Sequence, residues 1–182
     1  ALAGRDVVYI VMQKKDGSMA EPEKYPTSAQ TLGVEVGDLN GDSINDLILV
    51  TNDGEKPLHV RFGLKTGKFG PLQRFFIERP SALMLHATDE TNGDKVLVVD
   101  SVSGRLICYQ LSTEDPRGAD WPILFYPLTA GQEDTKRDLA AGDFNGDGLA
   151  DIVISDPGAA EIIFYKQVAK IGLVEPVRFP AF

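Results

Sequence analysis

Short apolar runs rich in Val, Ile, Leu, Phe and Tyr alternate along the chain with clusters of Gly, Asp, Asn and Pro. No stretch repeats its apolar residues at helical spacing, so the runs predict β-strands. They fall into groups of four. The first group is Leu32–Val36, Asp46–Thr51, Leu58–Phe62 and Leu72–Ile77; the second is Leu83–Ala87, Lys95–Asp100, Arg105–Leu111 and Ile123–Leu128. The third is Asp138–Ala141, Asp151–Ser155, Glu161–Tyr165 and Pro176–Phe179. Turn formers separate second from third runs at Asn52-Asp53-Gly54, Ser103-Gly104 and Asp156-Pro157-Gly158. Ahead of these groups, Val7–Met12, the turn Lys15-Asp16-Gly17 and Glu23-Lys24-Tyr25 predict the third strand, hairpin and fourth strand of an incomplete group.

Second runs are apolar at nearly every position, as in strands buried on both faces. Third runs partly alternate: Leu58, Val60 and Phe62 point one way, His59 and Arg61 the other, which predicts His59 on a sheet surface. The groups are copies of one another. Leu83–Asp89 aligns with Leu32–Asp38, and Val96–Asp100 with Ile152–Asp156, a repeat of about 51–54 residues. That alignment puts Glu35, His86 and Ala140 at equivalent points of the first strands, where a satisfied polar residue is expected.

Between first and second runs lies a second pattern. GDFNGDGLADIVIS, Gly142–Ser155, sets Asp143, Asn145 and Asp147 at alternate positions and closes with Asp151. GDLNGDSINDLILV, Gly37–Val50, repeats it with Asp38, Asn40, Asp42 and Asp46. Alternation turns several oxygens toward one point, and hard oxygen ligands suit Ca²⁺. The seventh positions, Ile44 and Leu149, can offer only a backbone carbonyl. An EF-hand would need Glu at the twelfth position and flanking helices. Here Leu49 and Ile154 stand there, and β runs follow.

Asp-x-Asn-Gly-Asp-x-x-x-Asp leading into an apolar strand resembles the calcium loops of the FG-GAP/VCBS repeat family, the blades of β-propellers such as integrin α-chain heads and bacterial secreted proteins. Phe62-Gly63 and Gly70-Pro71 resemble the elements that name the family. The resemblance implies an all-β fold of about three and a half four-stranded blades, part of a larger six- to eight-bladed ring. The half blade would span 1–28, and the others 29–80, 81–130 and 131–182. It also implies two structural Ca²⁺ ions, one held by Asp38, Asn40, Asp42, Ile44 and Asp46, the other by Asp143, Asn145, Asp147, Leu149 and Asp151. In the middle group, Asp89–Lys95 reads as a loop two residues shorter, with lysine in the closing place, and is expected to bind no calcium.

Composition narrows the function. The formal net charge is −9 and no Lys/Arg stripe appears, which argues against nucleic acid as a partner. Cys108 is the single cysteine, so no internal disulfide or cysteine-based zinc site forms. No run approaches the ~18 apolar residues of a membrane span. Lys136-Arg137-Asp138 reads as a solvated charge cluster. Calcium loops of moderate affinity suit an extracellular, periplasmic or cell-surface setting. The start at Ala1 without Met, in mid-blade, predicts a piece of a longer polypeptide, with other chains or the rest of the propeller covering its open edges. No nucleophile elbow, metal-hydrolase or phosphate-loop motif is present. The expected function is a non-enzymatic interaction or scaffold module for protein or glycan. The alternative is the propeller portion of a carbohydrate-active enzyme such as a polysaccharide lyase.

Overall fold

The apolar second runs become the inner strands of antiparallel sheets, where both faces are covered. The computed structural model describes residues 2–4, 6–78, 80–86, 93–100, 102–103, 105–110, 123–126, 137–169, 171–174 and 176–181. Every regular element among them is a strand. The chain divides into two units, Ala1–Gly37 with Ile44–Ile77, and Asp38–Ser43 with Glu78–Phe182.

The first unit holds two sheets. One is β1 (Leu2–Ala3), β2 (Val7–Ile10) and β3 (Glu23–Pro26), in that order. The other is β4 (Thr31–Gly37), β5 (Asp46–Thr51), β6 (Leu58–Arg61) and β7 (Gln73–Phe75). The expectation of open edges is corrected along Val7–Met12: Leu2 pairs with Tyr9 and Ala3 with Val8, so β1 covers part of that run. Val8, Leu47 and Leu49 form the core between the two sheets, with Ile10, Val34 and Phe69 against them. Arg61 seals one side. Its guanidinium donates to the carbonyls of Pro26 at 2.7 Å and Gly70 at 2.8 Å, beside the Tyr25 ring.

The second unit holds β8 (Pro80–His86), β9 (Lys95–Asp100), β10 (Leu106–Tyr109) and β11 (Ile123–Tyr126) in one sheet. A further sheet takes β12 (Leu139–Gly142), β13 (Asp151–Asp156) and β14 (Glu161–Tyr165). A small hairpin, β15 (Gln167–Val168) and β16 (Gly172–Leu173), then leads to its fourth strand, β17 (Val177–Pro180). Leu97, Val99, Leu106 and Cys108 of one sheet share a core with Ile152, Ile154, Ile163 and Tyr165 of the other. Burial there pushes the Cys108 thiol up to about 11, so it is a packing residue and not a reactive one.

Strand pairing corrects the alignment of the middle repeat. Gly37 faces Asp46, His86 faces Lys95 and Gly142 faces Asp151. His86 is therefore the counterpart of Gly37 and Gly142, while Met84, opposite Leu97, is the counterpart of Glu35 and Ala140. The middle loop is as long as the other two, not shorter. Side chains alternate with a period of two, so a two-residue slip keeps every apolar residue on its own face. Hydrophobic pattern alone could not detect the slip. Lys95 does stand at the closing position; residues 87–92 of that loop lie outside the described residues.

His59 is fully buried, which corrects its expected surface position. Its Nε2 lies 3.4 Å from both Asp53 Oδ2 and Thr51 Oγ1. Burial holds its pKa below the ordinary histidine value, against the opposing pull of Asp53. A histidine whose folded pKa is depressed stays neutral while its unfolded counterpart takes a proton below about pH 6.5. Stability is thus expected to fall as pH drops from about 6.5 toward the folded pKa. Urea midpoints measured across that window should slope less in His59→Gln than in the wild type.

Candidate functional site

In the loop joining β12 to β13, Asp143 is the hub. Its Oδ1 accepts the amides of Gly146 at 2.6 Å and Asp147 at 3.1 Å, and its Oδ2 accepts that of Gly148 at 2.9 Å. The chain therefore wraps once around this carboxylate. Asn145 Oδ1 accepts the Asp147 amide at 3.0 Å, and Asp147 Oδ1 accepts that of Leu149 at 3.0 Å. The Leu149 amide, helped by Lys166, holds the Asp147 carboxyl below its ordinary pKa. Lys166 Nζ lies 3.2 Å from Asp147 Oδ2.

The first loop is built alike. Asp38 accepts the amides of Gly41 at 2.8 Å, Asp42 at 3.1 Å and Ser43 at 2.7 Å, while Asn40 Oδ1 accepts that of Asp42 at 3.0 Å. Ser43 holds φ of 64° where Gly148 holds 83°. That conformation costs a serine what it spares a glycine. The same wrap thus forms despite the less favourable residue, around the same carboxylate position.

The closing aspartates do a separate job. Asp46 and Asp151 are fully buried at the start of their strands. Asp46 Oδ1 accepts the Gly63 amide at 2.8 Å, and Asp151 Oδ1 accepts the Gln167 amide at 2.9 Å. Gly63 and Gln167 open equivalent hairpins, Gly63 bridging Phe69 and Gln167 pairing with Leu173. Each closing carboxylate therefore ties the start of its second strand to the hairpin after its third. A Cβ on Gly63 would strike the Asn45 carbonyl and come within 2.6 Å of Ile44 Cγ2. This close approach explains the glycine of the Phe62-Gly63 element. Sequence spacing marked the aspartates but gave no sign of their amide partners, which lie a whole hairpin away.

Asp151 is further engaged by the Phe144 amide at 3.2 Å and by Asn145 Nδ2 at 2.9 Å. The structure thus brings Asp143, Asn145, Asp147 and Asp151 into one hydrogen-bonded loop, with Leu149 amide-bonded to Asp147. In the first loop, Asn40 Nδ2 donates to Asp42 Oδ2 at 3.2 Å. Among the described residues, no three His, Cys, Asp or Glu side chains converge as a metal-holding group. The loop oxygens instead accept from N–H donors. The donor set is all oxygen, the chemistry that a hard cation takes.

Two residues behave differently from their expected roles. His86 is buried, beside Gln167, Lys95, Asp94 and Asp151. Burial keeps it below the ordinary histidine pKa. Arg137, expected in a solvated cluster, is buried and reaches Asp156 Oδ2 at 3.1 Å; Lys136 lies outside the described residues. Asp94 is a further residue that sequence did not mark. Its amide donates to the Asp38 carbonyl at 2.6 Å, and its Oδ2 accepts the Asp38 amide at 2.9 Å.

No curated protein and no solved structure matches the chain. The family model of the FG-GAP repeat matches residues 137–167, which run from the buried Arg137 through β12, the loop, β13 and β14 to Gln167. Strand order, loop and hairpin clamp over these residues agree with that match, so residues 137–167 read as one FG-GAP repeat.

Proposed function

We propose that this chain is a calcium-stabilised segment of a β-propeller that works outside the cytoplasm as a non-enzymatic module binding protein or glycan. The observation that carries the calcium reading is the shared construction of the two loops. In each, one aspartate is wrapped by three amides of the following residues, and the oxygens of the third and fifth positions are carried on that wrap. Calcium would be held by Asp38, Asn40, Asp42 and Asp46 with the Ile44 carbonyl, and by Asp143, Asn145, Asp147 and Asp151 with the Leu149 carbonyl. Binding would draw Asn145 and Lys166 away from the carboxylates they now pair with. The ion would neutralise three carboxylates per loop, a structural role. Lys95 in the middle repeat puts a positive charge where calcium would need an anion, so that loop takes none.

Four-stranded antiparallel sheets in series are the form of propeller blades, which supports the propeller reading. FG-GAP repeats occur typically in extracellular proteins and are generally non-catalytic, which supports the setting and the role. Calorimetric titration of chelator-stripped protein with calcium is expected to find two sites. At a concentration a hundredfold above Kd, each adds about 2.7 kcal/mol of stability. Three sites, or none, would overturn the assignment. Screening against polysaccharides then tests the role: saturable binding without turnover agrees with a module, whereas turnover identifies the propeller of a lyase.

A further inference from the structure

The two loops share one construction but differ in the residue that follows the third strand of the repeat. Tyr165 pairs with Ile152 as Arg61 pairs with Leu47, so Lys166 and Phe62 are equivalent residues directly after the third strand. At that place the third repeat carries an ammonium 3.2 Å from Asp147 Oδ2, and the first carries an uncharged ring. Both members of the ion pair are partly exposed, the lysine side chain at 46% and the aspartate at 31%. A pair so hydrated contributes little stability of its own and yields readily to a divalent ion. Once displaced, however, the ammonium remains tethered to the end of β14, a few ångströms from the incoming charge.

We infer that Lys166 is a built-in competitor for the cation of the second loop and weakens that site. The inference rests on the calcium reading above. Repulsion between a single and a double charge several ångströms apart in a hydrated loop weakens binding about fivefold and does not abolish it. Such repulsion is screened by salt.

Calcium titrations of the wild type, Lys166→Met, Lys166→Gln and Lys166→Arg test this, with Asp42→Ala and Asp147→Ala assigning each site to its loop. Lys166→Met and Lys166→Gln should each tighten the Asp147-dependent site about fivefold and leave the Asp42-dependent site unchanged, Lys166→Arg should keep the wild-type value, and the gain should shrink at high ionic strength. Two sites that titrate with the same affinities in the wild type and in both neutral variants would overturn the role of Lys166 while leaving the calcium reading intact. No calcium uptake by any variant would instead overturn the calcium reading, and this inference with it.

Discussion

Asp151→Ala is expected to lower the melting temperature by about 10 °C, and to do so in a chelator as well as in calcium. The carboxylate is fully buried and accepts the amides of Gln167 and Phe144 and the side-chain amide of Asn145. Truncation to a methyl group leaves these donors without their acceptor, and Gln167 is itself buried. Losing the acceptor of several charge-assisted hydrogen bonds costs about 3–4 kcal/mol. For a chain of this size each kcal/mol moves the midpoint by about 2–4 °C. Asp147→Ala makes the informative contrast. Its carboxylate holds an exposed loop amide and a hydrated lysine, so its removal should matter little in chelator and appear only when calcium is supplied. Equal losses for the two variants in chelator would show that Asp151 is no more a structural clamp than Asp147 is.

That contrast also marks how far sequence could reach. The apolar runs located the strands because burial on both faces leaves a continuous apolar signature, as in β5, β9 and β13. The loop aspartates were legible because alternation with glycine is itself the signal. What stayed hidden depends on partners far along the chain. Nothing near Asp46 announces the Gly63 amide, and nothing near Asp147 announces Lys166. His59 was misplaced for a related reason. Strand alternation assigns a face, but it cannot say whether that face is covered, and here Thr51 and Asp53 receive the ring in a buried niche. The middle repeat was misaligned because Leu83 and Leu85 satisfy the same alternation at either of two registers. Only the pairing of His86 with Lys95 separates them.

Arg137→Met is expected to destabilise the chain by about 3–5 kcal/mol, as much as any substitution outside the loops. The last residue of the second strand is Thr51, Asp100 and Asp156 in the three repeats, and each is buried. Each meets that burial differently. Thr51 Oγ1 donates to the Pro57 carbonyl at 3.2 Å, and Asp100 accepts the amides of Val102 and Ser103 in its own turn. Asp156 is met by the Arg137 guanidinium, whose side chain is only 4% exposed. Methionine in its place fills the volume but takes the guanidinium away from a carboxylate in a site closed to water. Most of the cost comes from the buried charge losing this partner rather than from the worth of the pair, because two buried ions repay their desolvation only in part. The double variant Arg137→Met with Asp156→Asn should therefore recover most of the loss. Urea unfolding at neutral pH measures both. A double variant as unstable as Arg137→Met alone would show that the guanidinium acts through packing, and a wild-type midpoint for Arg137→Met would show that the pair contributes nothing.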